Sequence, residues 1–509
     1  MTIEINNHIY RWRLIYLGLG SCILFYATGR AAARRSLWFD ELLTFYISKL
    51  PDSTSVVRAL LGTAENHPPF DFVARHLSLR VLGQSEFALR APSIVALWVS
   101  CLCLWSIVSK RTSMVAGLVA FSALLTTLAL NYAYEARPYA ILLASACISL
   151  FAWQRSVENP KSKFAPALLA VSLAMGIYTH FYGIFNYIPL LVGETLRSFE
   201  RRRISLPIIV SILVSLGLAL GVYPFAVNAR YLSEGFHTRN FDITTAIELY
   251  RMLLFNFTLA GAVSLVFVVI IAAVGRTEQT ASDPARVPLY EVGAAITYCF
   301  IPFMIYVVAR LSTNAIKDRY AIVTVIGFSL VAVYLTDMVW RKHRVSALAI
   351  CLSFLLTSFY SLTTVARSFD YPGSFITGSV REFIDSADLP IVMSDGFKFL
   401  EVYHYVPRSR AKIYFFANRK DVPRYRDSDT IDIALTNIKK VEPLNTVDFS
   451  EFLSRHSKFL VYVTGGNEPR YWILRKLEDN HVKLVFRTMV DQGLVFLADS
   501  ESSATAALR

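Results

Sequence analysis

The chain has 509 residues, 54% apolar and 17% charged, a balance that excludes a set of soluble domains, a fibrous protein and a disordered chain. Mean hydropathy is +0.44, and the apolar residues gather in runs of about 17 to 24, long enough to cross a ~30 Å hydrocarbon layer as helices. Net charge is +13, yet from Tyr371 onward 19 basic residues meet 18 acidic ones, so the excess lies in the apolar two-thirds and reports membrane orientation rather than nucleic-acid binding.

The first run, residues 13–30, is followed by Arg30, Arg34 and Arg35 with no small-residue cleavage site, and reads as a membrane anchor. A long loop, 31–87, comes next and holds two amphipathic stretches. One is capped by Asp52 or Ser53 and runs through Val56, Val57, Leu60 and Leu61; the other follows Pro68-Pro69 and carries Phe72, Val73, Leu77 and Val81 on one side. Such helices commonly lie in the membrane interface. Ten further runs follow, at 88–109, 114–131, 138–154, 164–180, 182–197, 206–227, 253–274, 290–309, 320–340 and 344–364, giving about 11 spans with acids only at their ends. All six cysteines fall inside these runs, without metal-ligand spacing, and read as small buried hydrophobes.

With the N-terminus in the cytoplasm, sixteen Lys and Arg lie in the inner segments, Arg276 and Arg286 among them, against seven in the short outer loops, Arg230 and Arg239 among them. Loop 31–87 and the tail then both lie on the outer face. The tail alternates β-like runs (390–394, 412–416, 458–463 and 482–486) with helical patterns such as 446–456, which predicts a small α/β domain. The expected architecture is therefore a mainly α polytopic membrane domain, 1–370, and a soluble α/β domain, 371–509.

Five groups are candidates for chemistry, each also readable as an interfacial anchor, a helix-end signal or a loop-shaping ion pair. In Trp38-Phe39-Asp40-Glu41, repulsion between adjacent acids and partial desolvation suit general-base work, and an interfacial aromatic anchor is the plain alternative. In Glu65-Asn66-His67-Pro68-Pro69, two prolines hold His67 extended, presenting its ring. Tyr132 to Tyr139 compresses Glu135, Arg137 and Tyr139 into one short outer turn, able to line a polar cavity or to form an aromatic belt. His180 and Tyr182 sit in Tyr178-Thr179-His180-Phe181-Tyr182-Gly183, between two short spans, and Lys317-Asp318-Arg319-Tyr320 begins the tenth span. All five groups lie on the outer side under a topology fixed without them. Carboxylates near these cations suit a reaction in which an acceptor hydroxyl loses its proton and an anionic leaving group is held.

Taken in order, Trp38-Phe39-Asp40-Glu41, His67-Pro68-Pro69, Glu135-Ala136-Arg137-Pro138-Tyr139, Thr179-His180-Phe181-Tyr182-Gly183 and Arg319-Tyr320 resemble the motif series of the GT-C glycosyltransferases, specifically the dolichyl-phosphate-mannose protein mannosyltransferase-like group (glycosyltransferase family 39-like). The resemblance covers residues 12 to about 364. It implies a sugar donor carried on a polyprenyl phosphate, an inverting transfer, and Asp40 as base with Glu41 beside it. The donor and acceptor sites would hold His67, Glu135, Arg137, Tyr139, His180, Tyr182, Lys317, Arg319 and Tyr320. The acceptor would be an envelope lipopolysaccharide, another glycan, a lipid or a protein; the compact loops and short tail point to the periplasmic face of a bacterial inner membrane, with an endoplasmic-reticulum lumenal face satisfying the same charges. A divalent cation at Asp40-Glu41 is compatible with some relatives. Relatives that add aminoarabinose to lipid A carry Lys-Pro-Pro where this chain has His67-Pro68-Pro69, which sets it apart from them. The other class with many spans and charges is a secondary transporter or flippase for a lipid-linked sugar, but no paired repeat is present in the sequence.

Overall fold

The computed structural model describes residues 2–233, 242–273, 287–313, 316–368, 376–418, 422–426, 429–464 and 471–500. The loop cations Arg239, Arg276 and Arg286, and the expected boundary at 370–371, lie outside the described residues. Two compact units emerge. The first comprises Met1–Arg34, His67–Tyr223 and Arg239–Phe369; the second comprises Arg35–Asn66, Pro224–Thr238 and Asp370–Arg509.

The first unit is helical, and a helix coincides with every apolar run. Seven helices among the described residues are long and apolar enough to cross a membrane, or eight when the bent pair Leu289–Cys299 and Ile301–Leu311 counts as one span. Met114–Leu125 and Phe164–Thr179 are apolar but shorter. The run expected at 182–197 opens as a 3₁₀ turn, Phe181–Asn186, and continues as the helix Tyr187–Arg201. That helix carries an acid in its interior, unlike the expectation for the spans. Glu194 is buried, accepts from Arg197 at 2.6 Å and from the Trp153 indole at 3.1 Å, and so is neutralised where it stands.

Lipid is the solvent of this unit's surface. Only 11% of the apolar window of Phe255–Ala273 and 28% of that of Leu206–Ala229 are buried within the protein. Large residues such as Leu213, Val266, Val269, Leu352 and Phe359 stand exposed along the helices, an apolar surface that water does not tolerate. The chain is thus a multi-pass membrane protein. Tyr139–Glu158 lies at the centre with 83% of its window buried, packed against Glu86–Val108 and Phe164–Thr179. Its Ala140, Ala144, Ser145, Ala146, Ser149 and Ala152 let neighbouring backbones approach closely, the usual basis of helix association in lipid.

In Phe70–Leu82 the apolar side read from the sequence is turned only partly into the protein. Phe72 is buried, but Leu77 and Val81 are 55% and 79% exposed, and the remaining inward residues are Asp71, Arg75, His76 and Leu79. The polar residues turn inward because they make the helix's tertiary bonds, described with the site below.

The second unit is an α/β fold around a six-stranded sheet in the order β3-β2-β1-β4-β6-β5. Its strands are β1 Ile391–Met393, β2 Ile413–Phe416, β3 Thr446–Val447, β4 Lys458–Val463, β5 Lys483–Val490 and β6 Gly493–Asp499. Strands β3, β2, β1 and β4 are parallel; β6 and β5 complete the sheet antiparallel. All four β-like runs of the tail are strands. The pattern at 446–456 is corrected to the two-residue strand β3 followed by the helix Phe449–Arg455, because Asp448 caps the helix by accepting from Ser450 N–H at 2.9 Å.

Residues 35–66 belong to this unit as well. Helix Phe39–Ser48 packs its Phe39 ring 4.4 Å from Phe397, Tyr46 Oη lies 3.2 Å from His404 Nδ1, and Lys49 pairs with Glu442 at 2.6 Å. Helix Ser53–Leu61 is capped by Asp52, which accepts from Ser55 N–H at 2.8 Å. Just beyond its end, Lys440 Nζ donates to Gly62 O and Thr63 Oγ1.

Candidate functional site

Within the first unit, four sequence-distant segments bring their aromatic and charged groups together. Helix Phe164–Thr179 stops at His180, whose backbone turns extended, and His180 Nδ1 accepts from Tyr182 N–H at 3.2 Å. With Nδ1 occupied as an acceptor, the imidazole proton sits on Nε2. Gly183 is required by the turn that follows. A Cβ there would stand 2.4 Å from the Gly176 carbonyl carbon and oxygen, so a side chain would push the 3₁₀ turn off the preceding helix.

His180 is the hub. Its ring centroid lies 5.3 Å from that of His67, 5.6 Å from Tyr139, 5.5 Å from Tyr182 and 5.4 Å from Tyr320. Tyr182 and Tyr320 stack at 4.8 Å, and Tyr132 meets Tyr139 at 4.8 Å. The Arg319 guanidinium stands over the Tyr139 ring at 5.7 Å. Burial, followed by the neighbouring His67, Arg137 and Arg319, holds the His180 imidazole well below its ordinary value, so the ring is neutral. Tyr132 is within electrostatic reach of Asp318, Glu135 and Arg319, and its burial raises the phenol.

Of the residues singled out in the sequence, His67, Glu135, Arg137, Tyr139, His180, Tyr182, Arg319 and Tyr320 therefore belong to one neighbourhood. Lys317 is exposed, and its backbone carbonyl accepts from Tyr320 N–H at 3.1 Å. Asp40 and Glu41 belong to the second unit. Asp40 is half-buried in the first turn of Phe39–Ser48, whereas Glu41 is fully buried and its Oε2 accepts from Trp38 N–H at 3.3 Å, closing the helix start. The two adjacent acids thus have different environments, one half-buried and one fully buried. That geometry does not suit a divalent cation. Glu41 is turned onto its own backbone, and among the described residues no group of three or more His, Cys, Asp or Glu stands close enough to hold a metal.

Sequence reading missed the support of Arg137. Arg75 is fully buried and forks onto Asp71 at 2.9 and 2.7 Å, and it also donates to Leu89 O at 2.7 Å, Ser93 Oγ at 3.0 Å and Arg137 O at 2.9 Å. Ser93 Oγ in turn donates to Glu135 O at 2.7 Å. One guanidinium thereby fixes the backbone that carries Glu135 and Arg137. The legible signal was an acid and a base at i and i+4 in the same short helix.

The hub has a measurable consequence. Protonation of His180 is opposed in the folded protein and ordinary in the unfolded chain, so the unfolded state binds more protons as pH falls through the usual imidazole range. Thermal stability is expected to drop between about pH 7.5 and about pH 5.5. In His180→Gln the drop should be smaller by differential scanning fluorimetry, and an equal drop in both proteins would contradict the neutral assignment.

Residues 66–227 match the family model described as dolichyl-phosphate-mannose-protein mannosyltransferase. In fold, the chain is similar to ArnT from Cupriavidus metallidurans bound to undecaprenyl phosphate, with TM-score 0.51 at 13% identity, covering 96% of this chain and 98% of that one. Apo ArnT gives TM-score 0.50 at 12% identity over 97% and 98% of the two chains. The Archaeoglobus fulgidus oligosaccharyltransferase aligns with TM-score 0.45 at 11% identity over 88% of this chain and 67% of that one. No curated protein matches the chain in sequence. The family match over this segment and the fold likeness over nearly the whole chain are those of a multi-pass membrane protein similar to glycosyltransferases. Residues 66–227 thus resemble the dolichyl-phosphate-mannose-protein mannosyltransferase family, and the fold of the chain is that of ArnT.

Proposed function

We propose that this protein is a glycosyltransferase that moves a sugar from a polyprenyl-phosphate carrier to a cell-envelope acceptor at the periplasmic face of a bacterial inner membrane. The observation that carries the reading is the His180 neighbourhood, where Arg137 and Arg319 stand among tyrosines at the ends of helices of the membrane unit. Two guanidiniums in a partly desolvated setting suit a phosphate, which they hold as forked donors. The neutral His180, with its proton on Nε2, adds a donor without adding charge. Undecaprenyl phosphate bound to ArnT supports a polyprenyl carrier here.

In the proposed step the acceptor hydroxyl oxygen attacks the anomeric carbon while Asp40 takes its proton. The bond from the anomeric carbon to the phosphate oxygen breaks, and polyprenyl phosphate leaves with the electron pair on the opposite face, so the anomeric centre inverts. Glu41 keeps the helix start in place rather than reacting.

The test is turnover of a panel of polyprenyl-phosphate sugars by purified protein supplied with envelope glycan extract, read by mass spectrometry. Release of free polyprenyl phosphate with a mass gain on one acceptor is expected. Arg319→Gln should raise the donor KM and lower kcat, with kcat/KM falling about 10- to 100-fold, the scale of one lost charge-assisted hydrogen bond. An unchanged kcat/KM in that variant would remove Arg319 from the phosphate site.

A further inference from the structure

The second unit has a feature that transfer at the membrane leaves unused. Its parallel strands run in the order β3-β2-β1-β4, and in such sheets ligands bind beyond the carboxyl ends of the strands. A cavity of about 410 Å³ lies there, where Asn418 follows the end of β2 and Asp448 follows the end of β3. That volume falls within the range of small-ligand sites. Its remaining wall comes from Arg424, Tyr425, Phe449, Ser450, Lys476 and Asn480.

The wall is organised before any ligand arrives. Asn418 Nδ2 donates to Asp448 Oδ2 at 3.0 Å, and Asp448 Oδ1 accepts from Ser450 N–H and Oγ–H at 2.9 and 2.6 Å. The Lys476 ammonium is nearly inaccessible and lies 4.6 Å from the centre of the Phe449 ring. Asn480 Nδ2 donates to Lys476 O at 2.7 Å. From outside the cavity Asp479 accepts from Arg424 at 2.5 Å and from Tyr425 Oη at 2.8 Å, fixing both groups at the rim. Hydrogen bonding from Ser450, with Lys476 nearby, holds the Asp448 carboxyl below its ordinary value, so it is an acceptor at neutral pH.

Two carboxamides, a carboxylate and two hydroxyls give alternating donors and acceptors for vicinal hydroxyl groups. Aromatic rings supply a flat apolar wall, and Arg424, one of whose guanidinium nitrogens donates to Asp479, keeps its other N–H donors at the rim for an anionic group. Resting on the transferase reading for the ligand's role, we propose that this cavity binds an anionic sugar residue, bearing a carboxylate or a phosphate, of the envelope glycan acceptor.

Isothermal titration of the full-length protein in a sugar-free detergent tests it with four probes: glucose, glucuronic acid, glucose 1-phosphate and inorganic phosphate. Glucuronic acid or glucose 1-phosphate should bind more tightly than glucose and than phosphate alone, and which of the two prevails names the anionic group. Arg424→Gln, at a well-exposed side chain whose loss leaves the fold intact, should weaken that binding about tenfold. Ser450→Trp, which fills the cavity, should abolish it. Asp40→Asn should bind as wild type does. Phosphate binding as tightly as the anionic sugars, or anionic sugars binding equally to all variants, would overturn the proposal. Sugar transfer intact without anionic-sugar binding would defeat this proposal alone, and binding intact without transfer from any donor would defeat the transferase reading alone.

Discussion

Asp40→Asn is expected to abolish sugar transfer while leaving folding and carrier binding intact. Asp40 is half-buried and its backbone carbonyl accepts from Thr44 Oγ1 at 2.9 Å, a bond that asparagine retains. The substitution keeps the shape and removes the proton acceptor, so kcat should fall about 10²- to 10⁴-fold, the range for loss of a positioned general base, with the donor KM nearly unchanged. Release of polyprenyl phosphate by mass spectrometry reads the rate, and thermal unfolding checks the fold. Glu41→Gln should behave oppositely. Its carboxylate is buried against the Trp38 N–H, so its loss should lower stability first and activity in proportion. Full transfer by Asp40→Asn would sink the base assignment.

Loss of the Asp71–Arg75 pair should have the largest effect on stability. Arg75 and Asp71 are 0% and 1% exposed, and Asp71→Ala leaves a buried guanidinium without its counter-charge. Breaking such a pair costs about 3–5 kcal/mol. The paired replacement Asp71→Leu with Arg75→Met removes both charges and should recover most of that stability. It still deletes the donors to Arg137 O and Ser93 Oγ, so the Glu135–Arg137 backbone loses its anchor and the donor KM should stay raised. Recovered stability together with a wild-type KM would show that Arg75 holds the fold without positioning Arg137.

These two predictions differ in how far they were legible. Asp40 stands out in the sequence because two acids follow two aromatics in a segment short of charge. Nothing in the sequence separates Asp40 from Glu41, since the difference is a hydrogen bond from Trp38 N–H that exists only once the helix has formed. Arg75 is the reverse case. The i, i+4 spacing with Asp71 is visible, but the amphipathic pattern of the same helix, with Phe72, Val73, Leu77 and Val81 on one side, does not say which residues are buried. In a membrane protein the apolar face does not have to turn inward, because lipid accepts it as readily as the protein interior does. Amphipathic pattern alone therefore leaves the buried face open, and the demand of a buried arginine for partners decides it.

The sequence by itself determined that the protein lives in a bilayer, where its helices lie and which short segments gather its charged and aromatic groups. These follow from local properties: run length against hydrocarbon thickness, and the rarity of charge in apolar surroundings. The α/β character of the tail was equally local, through alternating β-branched and aromatic runs. Only the tertiary structure decided that His180 is the point on which His67, Tyr139, Tyr182 and Tyr320 converge, and that residues 35–66 fold with the C-terminal sheet. It alone also decided that β3 joins the sheet with two residues. Each depends on groups tens to hundreds of residues apart coming within a few ångströms, and no local pattern encodes which partner completes a buried polar group.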